Sequence, residues 1–207
     1  MKLYIVRHAQ SKRNAKLEHS KVDTDLTDIG HEQAKRLGVY FKKIKLKKIY
    51  CSKLIRARKT LKEILPYVGK VNVEYTKEVV EHSIGIYGMN GKDDWESYVK
   101  DMEKSGLSLI EFRPKNGESL MDAYIRAGKF YQKLLKKHKN DKILVVAHNA
   151  FNKYLIMNAL KLNIEEGKYF NLSNASVSII GIDKNGKVKK YDIDDFHHII
   201  DYALKRK

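Results

Sequence analysis

The sequence predicts an α/β protein, a three-layer α/β/α sandwich with a mixed, mostly parallel sheet and a small inserted lobe. Short apolar runs at residues 3–6 and 142–147 are typical of strands that are buried in a parallel sheet. Each run is followed, after a polar turn, by a segment whose apolar residues have helical spacing. Asn185 and Gly186 form the Asn-Gly pair of a hairpin, which makes the late sheet partly antiparallel. The alternation of strands and helices indicates three layers.

The regular elements follow one another with polar or glycine-containing turns between them. Thr27 is a good N-cap for the first helix, and Gly30 allows that helix to lie close to the sheet. The hydrophobic pattern predicts strands at residues 3–6, 48–51, 71–75, 142–147, 175–182 and 187–191. It predicts helices at residues 28–44, 53–65, 120–139 and 151–160, with a short helix at the C-terminus.

Residues 79–116 do not follow the alternating pattern. This stretch is irregular and rich in aromatic residues, among them Tyr87, Trp95 and Tyr98. We expect residues 1–207 to form a single domain, in which residues 79–116 are an insertion over the site that serves as a lid or determines specificity. An ordinary surface excursion is the alternative interpretation.

The charge of the chain is strongly positive. Its 42 Lys and Arg residues against 25 Asp and Glu residues give a net charge of +17, and most of the basic residues are lysines. Such a charge permits nucleic-acid binding through phosphates. No recognition motif with interleaved aromatic residues accompanies it, so we favour a lysine-rich surface over a nucleic-acid partner. The same field is expected to attract small anionic substrates.

Three features predict a cytoplasmic protein. No stretch approaches the roughly 18 apolar residues of a membrane span. The strand at residues 3–6 leaves no room for an N-terminal signal peptide, so we expect none. Cys51 is the only cysteine, which excludes an internal disulfide and fits a reducing compartment. Its apolar surroundings predict a buried thiol.

Charged and titratable side chains follow three of the predicted strands. Arg7 and His8 come directly after the first strand, and His148 follows the strand at residues 142–147 in the same way. Arg56 lies in the first turn or two after the second strand. Ligands in open α/β sheets bind beyond the carboxyl ends of the strands. An arginine fork suits phosphate or carboxylate, and an imidazole can act as nucleophile or proton carrier.

Taken together, these stretches resemble the motifs of the histidine phosphatase superfamily, the phosphoglycerate mutase-like enzymes. Ala9 and the pair Asn149-Ala150 stand where glycines are usual in that family. The matching stretches occur in the family's order and together cover residues 3–11, 23–34, 52–60, 81–85, 117–119, 145–150 and 174–180.

The resemblance implies a role for each group at the strand ends. His8 would be the nucleophile that forms a phosphohistidine, while Arg7 and Arg56 would hold the phosphoryl oxygens. His148 would be the second histidine of the phosphate pocket. Such a set stabilises charge on the equatorial phosphoryl oxygens without a metal ion. To attack, His8 must be unprotonated, and a hydrogen bond from its other ring nitrogen to a backbone carbonyl would fix its tautomer.

Further residues carry auxiliary roles by the same resemblance. Glu81 matches the family's proton donor to the leaving group, and the neighbouring His82 is the alternative donor. Asn14 corresponds to a position that helps to hold the phosphate, with Ser11 close by. No cofactor is implied. The histidines and acidic residues show no metal-ligand spacing, so we expect no metal site.

The resemblance therefore implies a metal-independent phosphomonoesterase that acts on a small phosphorylated metabolite. The alternative within the family is a 2,3-bisphosphoglycerate-dependent phosphoglycerate mutase. Such mutases usually carry a tryptophan-containing stretch before the Asp-x-x-Leu-Thr-like element, and residues 13–23 contain no tryptophan. An alternative of another class is a basic protein that binds nucleic acid or protein on a degenerate scaffold. The identity of the substrate depends on residues 79–116.

Overall fold

Six strands form one sheet in the computed structural model, which describes residues 1–15, 23–88 and 94–199. In chain order the strands are β1 (Lys2–Arg7), β2 (Lys48–Ser52), β3 (Asn72–Thr76), β4 (Lys142–Ala147), β5 (Val177–Ile182) and β6 (Val188–Asp195). Their order across the sheet is β3-β2-β4-β1-β5-β6. Strands β1 to β4 are parallel to one another, β5 is antiparallel to β1, and β6 is antiparallel to β5. The predicted mixed, mostly parallel sheet is confirmed.

Helices cover both faces of this sheet. The described residues form α1 (Asp28–Phe41), α2 (Ile55–Val68), α3 (Trp95–Ser105), α4 (Leu120–Lys137) and α5 (Asn149–Leu160). The first two helices pack against each other on one face, and α4 packs against α5 on the other. The arrangement is the predicted three-layer sandwich, and α3 lies outside those layers.

The central strands β1 and β4 are apolar at their inner positions, where both of their faces are buried. In β1, Leu3 and Ile5 belong to the core beneath α4 and α5, whereas Tyr4 and Val6 belong to the core beneath α1 and α2. The side chains alternate between the faces because a strand has a period of two residues. Truncation of one such residue, for example Ile5→Ala, is expected to cost about 2–5 kcal/mol of unfolding free energy.

Some element bounds differ from those predicted. The second helix continues through Pro66 to Val68, since a proline in the last turn costs only one helical hydrogen bond. Helix α3 was not predicted, although its apolar residues have helical spacing, because it lies in the stretch at residues 79–116 that was interpreted as irregular. The short helix predicted at the C-terminus lies outside the described residues, whose last element is a 3₁₀ turn at His197–Ile199.

No helix in the described part of the chain combines the length and the apolar character that a membrane crossing requires. The one cysteine, Cys51, is buried in β2, and burial raises the pKa of its thiol. Its predicted position in the core is confirmed.

The start of α1 is fixed to the loop that follows β1. Thr27 is the N-cap, as predicted, and its hydroxyl accepts a hydrogen bond from the backbone N–H of Gly30 at 3.0 Å. A Cβ atom at Gly30 would lie 2.0 Å from the carbonyl oxygen of Gln10. Glycine is therefore required at this position so that the helix can approach the loop that carries the residues after His8.

We expect Gly30→Ala to destabilise the protein by about 1–3 kcal/mol, because the added methyl group overpacks a backbone contact. The direction of the change in unfolding free energy is informative, since an alanine in place of an unstrained glycine usually stabilises a protein. Urea unfolding measures the change. Gly181→Ala is the control, because a Cβ there meets its nearest neighbour at an ordinary 3.5 Å. Equal stability of the two variants would contradict the close approach at Gly30.

Candidate active site

The predicted site residues come together at one edge of the sheet. β1, β4 and β2 are adjacent and parallel, so their carboxyl ends meet there. Arg7 and His8 end β1, Arg56 lies in the first turn of α2, and His148 follows β4. The edge opens into a cleft of about 1030 Å³, whose wall includes Glu81.

His8 lies at the base of the cleft with only 2 % of its surface exposed. Its Nδ1 is 2.8 Å from the carbonyl oxygen of Ala9, which can only accept, so the proton resides on Nδ1. The other ring nitrogen, Nε2, accepts a hydrogen bond from Nε of Arg56 at 3.2 Å. Burial, together with the charges of Arg56 and Arg7, lowers the pKa of His8 well below its ordinary value. The ring is therefore neutral at pH 7, as a nucleophile requires.

Several backbone contacts hold His8 in place. The amide Nδ2 of Asn174 donates to the His8 carbonyl at 2.9 Å, and the N–H of Ala175 lies 3.3 Å from the same oxygen. The next residue, Ala9, donates its N–H to the hydroxyl of Thr60 in α2 at 3.0 Å. No role was predicted for Asn174 or Thr60, although both lie within stretches that carry the family resemblance.

The two arginines provide positive charge close to His8. Arg7 donates from Nη1 to the carbonyl oxygen of Leu172, and its Nε is buried without a hydrogen-bond partner in the described structure. Burial lowers the pKa of Arg7, while the charges of Glu81 and Asp194 raise it. Because a guanidinium stays charged even so, these donors can bind an oxyanion.

His148 completes the basic end of the cleft. Its ring centroid lies 5.1 Å from that of His8, and its Nε2 lies 2.7 Å from the hydroxyl oxygen of Ser52 at the end of β2. Its Nδ1 is buried without a hydrogen-bond partner among the described residues. Burial and then the charge of Arg56 lower its pKa well below the ordinary value. A buried polar atom without a partner at such a place is suited to a ligand.

Glu81 lies at the N-terminus of α5, opposite the arginines. Its Oε1 accepts hydrogen bonds from the backbone N–H groups of Ala150 at 3.1 Å, of Phe151 at 3.2 Å and of His82 at 3.0 Å. These bonds fix the carboxyl group beside the cleft. His82 also lines the cleft, but its Nε2 donates to the Glu118 carbonyl oxygen at 2.9 Å and is engaged there. The geometry therefore favours Glu81 over His82 as a proton-transfer group.

Ser11 and Asn14 form a polar turn at the rim of the cleft. The Ser11 hydroxyl donates to Oδ1 of Asn14 at 3.0 Å, and Asn174 donates to the same oxygen at 3.2 Å. Ser11 is fully buried, so its hydroxyl supports the turn. The amide Nδ2 of Asn14 is the group of this turn that is suited to donate to a bound anion.

Described residues of the stretch 79–116 line part of the cleft and form a small apolar cluster. Tyr98 of α3 is at the centre of this cluster, with edge-to-face ring contacts to Tyr87 at 5.4 Å, Trp95 at 5.3 Å and Phe112 at 5.1 Å. Trp95 keeps 52 % of its surface exposed and lines the cleft. Of these four rings, Trp95 is the exposed one, and the other three are buried behind it.

The described residues include no group of three or more His, Cys, Asp or Glu side chains that could hold a metal ion.

Because the pKa values of His8 and His148 are lowered in the folded state, acid should unfold the protein through them. Below about pH 6.5 these two histidines bind protons in the unfolded chain but stay unprotonated in the folded protein. The free energy of unfolding therefore falls as the pH decreases from there. We expect the midpoint of thermal unfolding to fall more steeply between about pH 6.5 and 5 in the wild type than in a His8→Asn, His148→Asn double variant. Parallel curves for the two proteins would contradict these pKa shifts.

Comparisons with known proteins show the family of this chain. A family model described as histidine phosphatase superfamily (branch 1) matches residues 3–194. Phosphoserine phosphatase 1 of Hydrogenobacter thermophilus is 30% identical over 192 residues, which cover 91% of this chain and 90% of the relative. A 2,3-bisphosphoglycerate-dependent phosphoglycerate mutase of Bartonella tribocorum is 31% identical over 172 residues, which cover 79% and 84%.

Solved structures show the same fold at lower identity. The alpha-ribazole phosphatase of Shigella flexneri has a TM-score of 0.79 at 23% identity and covers 94% of this chain and 96% of its own. A phosphoserine phosphatase of Entamoeba histolytica, in complex with 3-phosphoglyceric acid, has a TM-score of 0.75 at 20% identity, with coverage of 96% and 98%. Since the family match spans nearly the whole described fold and all of the strand-end groups, the chain belongs to the histidine phosphatase superfamily.

Proposed function

We propose that this chain is a metal-independent phosphomonoesterase that hydrolyses a small phosphorylated metabolite through a phosphohistidine on His8. One observation carries the proposal: the neutral Nε2 of His8 lies at the base of a basic cleft, with its tautomer fixed by the Ala9 carbonyl. A nucleophile must have a free electron pair at the working pH, and this ring nitrogen has one.

In the first step, Nε2 of His8 attacks the phosphorus atom, a P–N bond forms and the bond to the leaving oxygen breaks. The Arg56 N–H that now faces Nε2 would then donate to a phosphoryl oxygen. Arg7 and Nδ1 of His148 are the other donors close to this point. Such fixed donors stabilise the charge on the equatorial oxygens, which is the main requirement of phosphoryl transfer.

The alkoxide that leaves must receive a proton, and Glu81 is the group we assign to this step. Its place at the N-terminus of α5 holds the carboxyl group opposite the two arginines. After the leaving group departs, the same carboxylate would accept a proton from the water that attacks the phosphohistidine. That attack forms inorganic phosphate and regenerates neutral His8.

We infer that the substrate carries a second acidic group beside its phosphate. Three lysines, Lys53, Lys77 and Lys153, line the cleft around the reacting centre and add positive charge that a single phosphate does not need. The phosphoserine phosphatases and the bound 3-phosphoglyceric acid among the relatives fit such a substrate. We assign the choice of substrate to the insertion at residues 79–116, whose Trp95 lines the same cleft.

The mutase alternative uses the same phosphohistidine but passes the phosphoryl group to a second hydroxyl instead of to water. The relatives named as mutases support this alternative. The absence of tryptophan from residues 13–23 instead favours hydrolysis. Product analysis with excess 3-phosphoglycerate and a trace of 2,3-bisphosphoglycerate distinguishes the two. Only a mutase converts the 3-phosphoglycerate into 2-phosphoglycerate without releasing an equal amount of inorganic phosphate. We expect the enzyme to work in the cytoplasm and not to bind nucleic acid.

His8→Asn is expected to lower kcat for p-nitrophenyl phosphate, assayed with EDTA present, by a factor on the order of 10⁴–10⁶. The wild type should yield an acid-labile, alkali-stable phosphoenzyme on rapid quenching, and the variant should not. His31→Asn is the control, since His31 pairs with Glu63 between α1 and α2, away from the cleft. Turnover by His8→Asn at the wild-type rate would disprove the proposed nucleophile, and loss of wild-type activity in EDTA would disprove metal independence.

Glu81→Gln should slow phosphoryl transfer from an alkyl phosphate by roughly 10²–10⁴, the usual contribution of general acid catalysis. Transfer from p-nitrophenyl phosphate should slow much less, because p-nitrophenolate leaves without a proton. Single-turnover measurements isolate the phosphorylation step from hydrolysis of the intermediate. Equal slowing for both leaving groups would instead give Glu81 a binding or structural role.

A further inference from the structure

The helix that carries Arg56 begins without a cap of its own. Leu54 occupies the N-cap position of α2, and no side chain there bonds to the free N–H groups of the first turn. Asp23, which precedes α1, supplies this cap from a distance of more than thirty residues along the chain. Its two carboxylate oxygens lie 2.9 and 2.8 Å from the N–H of Ile55, the first residue of the helix. An acidic group at a helix N-terminus also has favourable electrostatics.

The same carboxylate contacts the side chain of the next residue. Oδ1 of Asp23 lies 3.3 Å from Nη1 of Arg56, whose side chain is only 9 % exposed, whereas that of Asp23 is 26 % exposed. Among the charges near Arg56, those of Glu81 and Asp23 raise its pKa against the effect of burial. One acidic group thus fixes both the backbone that leads into Arg56 and one end of its guanidinium.

The orientation of Arg56 matters because its guanidinium is a rigid, planar fork. The Nε edge faces Nε2 of His8, while Nη1 faces Asp23. With Nη1 held by Asp23, the Nε edge is directed toward the place where the phosphoryl group must sit. The segment that carries Asp23 is itself fixed to the loop after His8, because Ser11 pairs with Leu26 and the N–H of Lys12 donates to the Asp25 carbonyl at 2.9 Å.

We propose that Asp23 is a positioning residue for Arg56, which it holds in the orientation that binds the reacting phosphoryl group. The proposal rests on the proposed function, in which Arg56 is a phosphate ligand. Asp23 lies behind the guanidinium and acts through it. Its removal should therefore weaken transition-state binding more than it weakens the fold.

The first test compares Asp23→Asn with Asp25→Asn. Both variants lose one negative charge, two residues apart, and Asp25 pairs with Lys59 at the surface, at 3.1 Å. We expect Asp23→Asn to lower kcat/KM for p-nitrophenyl phosphate by about 10- to 100-fold, since small displacements of a catalytic group have effects of that order. The affinity for vanadate, read from its stabilisation of the folded protein, should fall by a similar factor. Asp25→Asn should stay within about 2-fold of the wild type in both measurements.

The second test asks whether Asp23 acts through Arg56. In an Arg56→Ala background, Asp23→Asn should leave the affinity for vanadate unchanged, while it still lowers the unfolding temperature because the helix cap is weakened. A purely structural role would instead weaken vanadate binding by the same factor in both backgrounds. That result, or wild-type kcat/KM in folded Asp23→Asn, would overturn the proposal.

A replacement variant and the Arg56→Ala single variant distinguish failure of the fold, of the role of Arg56 and of the positioning role. If Asp23→Asn does not fold, Asp23→Ser replaces it in the same tests, because a serine hydroxyl caps a helix without carrying charge. If Arg56→Ala alone retains wild-type kcat/KM and vanadate affinity, the proposed role of Arg56 in catalysis fails. If Arg56→Ala loses both while Asp23→Asn loses neither, the positioning role alone fails.

Discussion

The burial of two imidazoles beside two guanidinium groups is the constraint on which this site depends. These four groups lie together at the end of the central strands, and His8 and His148 are almost wholly buried. Burial first, and then the charges of the arginines, lower the pKa of both imidazoles, which therefore remain neutral. The positive charge that remains is suited to an incoming dianion. Glu81 on one side and Asp23 and Asp194 behind the arginines balance it until a substrate arrives.

The pairing of the strands in the sheet determines where these groups lie relative to one another. β1 pairs with β4 in register, so that Arg7 lies opposite Ala147 and the residues that follow, His8 and His148, leave the sheet side by side. The Ser52 hydroxyl at the end of β2 meets the His148 ring from the other side. Each of these groups is positioned by a strand that is buried on both faces, so the apolar packing that stabilises the fold also fixes the distances between the reacting groups.

The sequence is sufficient to predict the sheet and the strand-end groups, because both depend on local patterns. Arg7, His8 and His148 follow runs of buried residues whose direction and period are visible in the chain. Asp23 was not predicted as a helix cap, since its partner Ile55 is far away in sequence and the contact exists only after folding. The hydrogen bond from Asn174 to the His8 carbonyl was not predicted for the same reason. Helix α3 was not predicted because it lies between irregular segments, although Trp95, Tyr98, Val99 and Met102 have helical spacing.

The described residues of the stretch 79–116 have an apolar cluster that is separate from the main cores. This cluster of Ile84, Tyr87, Tyr98 and Phe112 shares no member with the two cores that cover the sheet. Substitutions at these four positions therefore remove no side chain from the two sheet cores. The wall of the cleft around Trp95 can change with little loss of stability elsewhere, whereas Glu81, in the same stretch of chain, stays hydrogen-bonded to the N-terminus of α5.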